Sequence, residues 1–172
     1  MASRFPIHQT TIACIALAAL PAFAQTDIKA AVLKHLRTSR DFTLKVADQM
    51  PEAEYGFKLT PPQMSFAEQL THLAQEQAQL LAPFSNDKPN PGKPTSMNKK
   101  DVLAYVGQSF DHSIDKVSKL TPAQIAGSYR GEGGPMTGLE LLMFLMDHTT
   151  HHRASAEMYL RAKGITPTDY QF

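Results

Sequence analysis

The sequence has little cysteine, little imbalance of charge and no long apolar run. Its 172 residues include one cysteine, Cys14, and carry 17 Lys and Arg against 16 Asp and Glu, a formal net charge of +1. A chain this close to neutral is not expected to bind nucleic acid. The apolar run at residues 11–20 is too short for a membrane-spanning helix. Segments that alternate apolar and polar residues are also missing, so no sheet is predicted.

The first 24 residues have the layout of a secretory signal peptide. Arg4 precedes the apolar run, and a small-x-small pattern, AFA, occupies residues 22–24. We therefore expect cleavage after Ala24 and a periplasmic or secreted protein with no membrane association after cleavage. The alternative, a lipoprotein modified at Cys14, is disfavoured by Thr11 three positions before it.

The expected mature chain spans residues 25–172 and forms one domain. It keeps no cysteine, which excludes a disulfide and a thiol nucleophile. A chain of this length can bury a single core without disulfides or structural metal ions to stabilise it. Its remaining charges balance, because Arg4 leaves with the signal peptide.

Helical periodicity and capping signals predict an all-α fold, a four-helix bundle. Ser65 with Glu68 three residues later forms a capping-box pattern. The predicted helices lie near residues 27–50, 65–82, 98–120 and 136–163.

The connection between the second and third helices is long and rich in proline. Its sequence, PFSNDKPNPGKPTSMN, cannot form regular structure. Extended, it can reach about 50 Å, whereas the second helix is on the order of 25 Å long. A long crossover between these helices is therefore predicted.

Two histidines of the last helix occupy positions where a bundle has leucine. His148 and His152 continue the core-facing seam that starts at Leu141 and Leu145. They lie one turn apart, so both imidazoles can reach a common atom, and this H-x-x-x-H spacing favours a metal site. His151 points about 80° away from their midpoint, and we expect it to be exposed or to act only indirectly.

A third ligand has to come from another helix. The candidates are His35, His72 and His112, together with carboxylates. His72 lies at the edge of the buried stripe of the second helix, and spacing favours it only slightly. Glu76, one turn beyond His72, is a candidate general base or fourth ligand, or simply a solvated helix residue.

Two motifs together resemble the DinB-like family, also described as DinB/YfiT-like metalloenzymes. They are SFAEQLTHLA and LLMFLMDHTTHHRASAEMYLRAKGITPTDY, and the likeness extends over the whole mature chain. The resemblance implies a four-helix bundle with a divalent metal held by a histidine of the second helix and the H-x-x-x-H pair, here His72, His148 and His152. The family often has HHRGQ where this chain has HHRAS, which puts in doubt any role of that glutamine. Ser155 would leave a larger, wetter pocket.

Three imidazoles would leave a metal open to water or substrate. Zinc and nickel suit such a site best, and iron can also bind there. We expect a metal-dependent hydrolase of a small substrate that the sequence does not name. The alternatives are a metal- or ligand-binding module without turnover and, as in some relatives, a thiol-dependent transferase, although an exported protein would not meet the cytosolic thiols. The resemblance also allows a homodimer.

Two further expectations concern the surroundings of the last helix. The glycine-rich segment 127–136 is expected to be an irregular mobile loop that borders the open side of the bundle, or else an ordinary connection. Arg153 and Glu157, four residues apart, are expected to form an ion pair on the surface.

Overall fold

The computed structural model describes residues 20–85, 92–131 and 133–171, with no side chains described before Ile28. Most of the expected signal peptide, residues 1–19, lies outside the described part of the chain, so export stays a prediction. Among the described helices, none is long and apolar enough to cross a membrane.

Four long helices and one small hairpin make up the fold. The elements in chain order are α1 (Leu20–Gln49), α2 (Phe66–Leu81), α3 (Lys99–Lys119), α4 (Pro122–Ala126), β1 (Ser128–Gly131), β2 (Gly134–Thr137) and α5 (Gly138–Ala162). Short 3-10 turns occupy Glu52–Glu54 and Ala82–Phe84. The predicted all-α bundle is confirmed. The first helix begins at Leu20 rather than near residue 27, and every other bound of the four long helices falls within two residues of the prediction.

Capping residues set where the helices begin. The Ser65 hydroxyl accepts a hydrogen bond from the Glu68 amide, and the Glu68 carboxylate accepts one from the Ser65 amide at 2.6 Å. Thr137 and Glu140 form the same capping box at the start of α5. Because a cap fixes the first turn, it also fixes which later side chains face the core.

Helices α2 and α3 pack side by side and run in the same direction. The Ser109 hydroxyl donates to the Ala74 carbonyl at 2.7 Å, and the Ser113 hydroxyl donates to Gln77 Oε1 at 3.0 Å, so residue numbers rise together in the two helices. Parallel neighbours need a connection that returns along the length of the bundle. The predicted long crossover, residues 82–98, is therefore confirmed.

Helix α5 lies between α1 and α2. Its residue numbers rise with those of α1, as Arg153 reaches Ser39 and Thr166 reaches Gln49. They fall against those of α2, because His152 meets Gln69 while Tyr159 donates to the Met64 carbonyl. Helix α5 thus buries two faces, one against each neighbour.

A polar layer divides the apolar core into two clusters. One cluster, around Phe42, Phe66 and Phe110, fills the end where α2 begins. The other, around Leu36, Leu81, Leu120 and Leu142, fills the end with the hairpin. Between them in every long helix lies a buried polar residue: Ser39, Gln77, Ser113 and Thr149. The three predicted metal ligands lie near this level.

The segment predicted as an irregular loop is a β-hairpin, so the expectation of no sheet was wrong for this segment. Strands β1 and β2 pair antiparallel from Ser128 opposite Thr137 to Gly131 opposite Gly134. Gly133 and Gly134 have positive φ values of 82° and 143°, which residues other than glycine rarely adopt. The strands have four residues each, too few for a period of two to be recognised.

Candidate metal centre

The H-x-x-x-H pair of α5 faces helix α2. The imidazole rings of His148 and His152 lie 4.4 Å apart between centroids. They follow Leu141 and Leu145, both buried, on the predicted seam. The seam thus continues from the apolar cluster into the histidines, as its spacing predicts.

Helix α2 brings His72 to the same place. Its ring centroid lies 5.2 Å from that of His148 and 4.6 Å from that of His152. One ligand nitrogen from each of the three residues lies within 4.8 Å of the other two. The structure therefore gathers the three residues named from the sequence into one cluster that can hold a metal ion.

Gln69 orients the most deeply buried of the three rings. Its side-chain oxygen lies 2.6 Å from His152 Nδ1. An amide oxygen only accepts, so Nδ1 donates the hydrogen bond and Nε2 keeps its lone pair. A ligand histidine typically has such a partner on its second nitrogen.

Sequence reasoning did not single out Gln69, although a signal existed. Gln69 precedes His72 by three residues and thus shares its helix face. The glutamine that the family often carries at the position of Ser155 is absent. Here the Ser155 hydroxyl donates to the His151 carbonyl of its own helix at 2.9 Å.

Burial keeps His152 neutral. Its side chain is buried, and burial, followed by the nearby His148, His72 and His151, lowers the pKa of His152 from 6.5 to about 4. A neutral imidazole retains the lone pair that a metal needs. His72 and His148 are half-buried, so the cluster opens to the surface on their side.

The other candidate residues lie outside the cluster. His112 is exposed on α3, and His35 is half-buried on α1, where burial and then the charge of Arg153 lower its pKa. His151 is exposed, with its ring 4.9 Å from that of His152. Glu76 is not among the grouped ligands, and its carboxylate accepts a hydrogen bond from Gln79 at 2.9 Å.

A cavity of about 560 Å³ lies directly beside His72. We call it the crossover cavity, because the returning connection between α2 and α3 forms one wall. It is lined by Met64, Glu68, Thr71, His72, Gln75 and residues 93–97. A volume of this size fits a small molecule. The crossover thus forms part of the wall of a cavity next to His72, a candidate metal ligand.

A second cavity of about 340 Å³ lies further along α2, toward the hairpin. We call it the hairpin cavity; it is lined by Glu76, Gln79, Leu80, Pro83, Arg130, Gly131, Met136, Leu141 and Phe144. Phe144 also contacts the centre, because its ring centroid lies 6.1 Å from that of His148. The glycine-rich segment therefore lines a cavity together with Phe144, a neighbour of His148, while its predicted mobility stays a prediction.

Arg153 corrects one prediction, since it is not on the surface. Only 2% of the residue is exposed, and its guanidinium carbon lies 4.5 Å from the centre of the Phe42 ring. Its Nε atom lies 3.9 Å from the Glu157 carboxylate, too far for a hydrogen bond. Burial lowers the pKa of Arg153. It lies on the α1 side of α5, away from the histidine cluster.

Comparison with known proteins gives consistent matches. A family profile described as the DinB superfamily matches residues 35–156. The uncharacterized protein YjoA of Bacillus subtilis (strain 168) is 22% identical over 147 residues, which covers 78% of this chain and 90% of YjoA.

Two solved structures share the fold. The crystal structure of the DinB-like protein YjoA from Bacillus subtilis has a TM-score of 0.70 at 20% identity and covers 81% of this chain and 96% of that one. A DinB-like protein from Bacillus cereus ATCC 10987 has a TM-score of 0.70 at 17% identity, with coverages of 81% and 95%. At these identities the likeness establishes the fold alone.

Proposed function

The chain belongs to the DinB superfamily, and we propose that it binds one divalent metal ion through His72, His148 and His152 and hydrolyses a small substrate there. The observation that carries this proposal is the cluster itself, with one nitrogen from each residue within 4.8 Å of the others. Imidazole ligands suit zinc or nickel best, and iron is also accepted.

The surroundings of the cluster support an open site. Three protein ligands are typical of catalytic zinc, whereas structural zinc normally has four. Among the described residues, no carboxylate or fourth histidine joins the group. Bound there, a divalent ion would supply Lewis acidity for hydrolysis.

The protein's own side chains have separate tasks in this proposal. Gln69 holds the ring of His152 in one orientation and one tautomer. His72 connects the centre to the crossover cavity, through which water and substrate can enter. Phe144 covers His148 on the hairpin side and limits solvent there. Glu76 lines the hairpin cavity one turn from His72 and is not among the grouped ligands.

Elemental analysis together with activity measurements tests the proposal. The purified protein is expected to contain about one metal ion per chain and to hydrolyse some member of a panel of small esters, amides and phosphoesters. The His148→Ala variant should lose both properties, and the matched control His151→Ala should keep both. Metal occupancy without any turnover would identify the alternative, a binding module. Protein purified without metal that also fails to bind added zinc or nickel would refute the proposal.

Export and self-association belong to the proposal as well. The signal-peptide pattern of residues 1–24 supports a periplasmic or secreted protein. Mass spectrometry of the exported protein should then find Gln25 as the first residue, whereas an intact Met1 form in the cytoplasm would contradict export. A homodimer rests on the resemblance, and sedimentation of the purified protein tests it.

A further inference from the structure

We propose that the hairpin cavity binds the head group of an amino-acid-like zwitterion, with Arg130 receiving its carboxylate and Glu76 its ammonium group. Both side chains line this cavity of about 340 Å³. A free α-amino acid head group carries one negative and one positive group, both attached to the α-carbon. The cavity offers one complementary charge for each.

The two charges of the cavity do not neutralise each other. Within the part of the chain that the structure describes, no ion pair joins Arg130 to Glu76 or to any other carboxylate. The Glu76 carboxylate receives one hydrogen bond, from the neutral amide of Gln79. Among the described residues, both charges thus remain available to a ligand. A guanidinium can bind a carboxylate through two parallel hydrogen bonds, and a glutamate suits an ammonium group.

Five apolar side chains share the cavity wall with the two charged groups and the polar Gln79. They are Leu80, Pro83, Met136, Leu141 and Phe144. Sites for small molecules typically combine apolar side chains with a few polar groups that fix orientation. The apolar side chains of this wall suit an unbranched aliphatic side chain of the ligand.

The cavity is aligned with the metal centre on both helices. Glu76 follows His72 by one helical turn on α2, and Phe144 precedes His148 by one turn on α5. A head group held by Arg130 and Glu76 could therefore extend its side chain past Phe144 toward the histidines. The inference that this ligand is the substrate rests on the proposed hydrolase function. Binding of the head group is independent of that function, because none of the three histidines lines the cavity.

Titration calorimetry with L-norleucine tests the site directly. This probe has a free head group and an unbranched apolar side chain. We expect it to bind both the metal-loaded protein and the protein treated with a chelator. Glu76→Gln and Arg130→Gln should each weaken binding at least about tenfold, since each removes one charged partner. The matched control Arg161→Gln, an exposed residue at the other end of α5, should bind like the wild type.

Two analogues separate a zwitterion from a simpler ligand. N-acetyl-L-norleucine lacks the ammonium charge and L-norleucinamide lacks the carboxylate, so each should bind at least about tenfold more weakly than L-norleucine. Equal binding of all three, or binding of none, would overturn the proposal. Thermal melting checks that each variant is folded. A protein that binds metal and hydrolyses a substrate but does not bind L-norleucine would refute this inference alone. A protein that binds L-norleucine but takes up neither zinc nor nickel would refute only the proposed function.

Discussion

His152 and Arg153 are neighbours in the chain, and both are buried, yet their surroundings differ completely. His152 faces α2, where it meets Gln69 and two other histidines. Arg153 faces α1, where its guanidinium lies over Phe42 and approaches the Ser39 hydroxyl at 3.4 Å. One helix thus carries two buried nitrogen-rich side chains on two different faces.

The difference follows from what each group can do with its charge. An imidazole can lose its proton on burial and then offer a lone pair, so its burial leaves a group that is ready to bind a metal. A guanidinium stays charged and has only donors. The aromatic ring of Phe42 and the Ser39 hydroxyl partly compensate its burial, but Nε of Arg153 has no hydrogen-bond partner among the described residues. The first face is therefore suited to binding and the second to packing α5 against α1.

Loss of metal from histidine variants is the largest effect we expect. His148→Ala or His152→Ala should remove most of the bound metal, because each deletes one of three ligands. His151→Ala should leave metal content nearly unchanged, since His151 is exposed and outside the ligand group. Elemental analysis of the purified variants measures this. The reverse pattern, with His151 required and His152 dispensable, would show that the assigned face of α5 is wrong.

Replacing Arg153 should lower the free energy of unfolding without changing the metal content. Arg153→Ala leaves a void beside Phe42 and removes a positive charge near Glu157, and we expect a loss of about 3 kcal/mol in the free energy of unfolding. Denaturant unfolding measures the loss, and elemental analysis should find unchanged metal content. Arg153→Met should be milder, because it fills the space without a buried charge. The exposed control Arg161→Ala should stay within about 0.5 kcal/mol of the wild type.

Gln69→Ala should weaken metal binding by roughly ten- to hundredfold. The variant keeps all three ligands but no longer orients the His152 ring, so the effect should be smaller than loss of a ligand. Competition with a chelator of known affinity measures it. Gln108→Ala, an exposed glutamine of α3, is the matched control. Unchanged affinity in Gln69→Ala would show that the hydrogen bond to His152 Nδ1 is unimportant for the metal.

The smallest expected effect is on the stability of the metal-free protein in mild acid. The pKa of His152 is lowered to about 4, below the value of about 6.5 expected in the unfolded chain. Between these pH values the unfolded chain binds one more proton at this residue than the folded chain does. Lowering the pH across this interval therefore shifts the equilibrium toward the unfolded chain. This part of the stability is therefore present above pH 6.5 and declines as the pH falls toward 4.

Thermal melting at a series of pH values measures this contribution. His152→Gln should melt with a weaker pH dependence than the wild type over that interval. The exposed control His112→Gln should follow the wild-type curve. Identical curves for all three proteins would mean that His152 does not titrate with a lowered pKa.

Sequence reasoning reached the bundle and the pair of histidines because both depend on spacing within one helix. The capping pattern at Ser65 predicted the start of α2, and the seam of α5 predicted that His148 and His152 face a neighbouring helix. The third residue, His72, was favoured over His35 and His112 by resemblance, since spacing does not fix how one helix is rotated against another. The structure brings these three together, while metal binding itself stays a prediction.

Arg153, Gln69 and the hairpin were missed for physical reasons. Helix α5 packs against both α1 and α2, so a residue off the first seam can still be buried on the second, as Arg153 is. Gln69 depends on a contact across two helices, which no local pattern records. The strands of the hairpin, residues 128–131 and 134–137, are too short and glycine-rich to show alternation.

The position of α5 beside α2 determines the order in which the centre can form. Gln69 and His152 are 83 positions apart in the chain, so their contact can form only after α5 has packed against α2. Contacts this distant form late and slow folding, because a long loop has to close first. During synthesis from the amino terminus, His72 exists without partners until α5 emerges. Acquisition of the metal would then follow docking of α5, and a metal-loaded chain would be one that has finished folding.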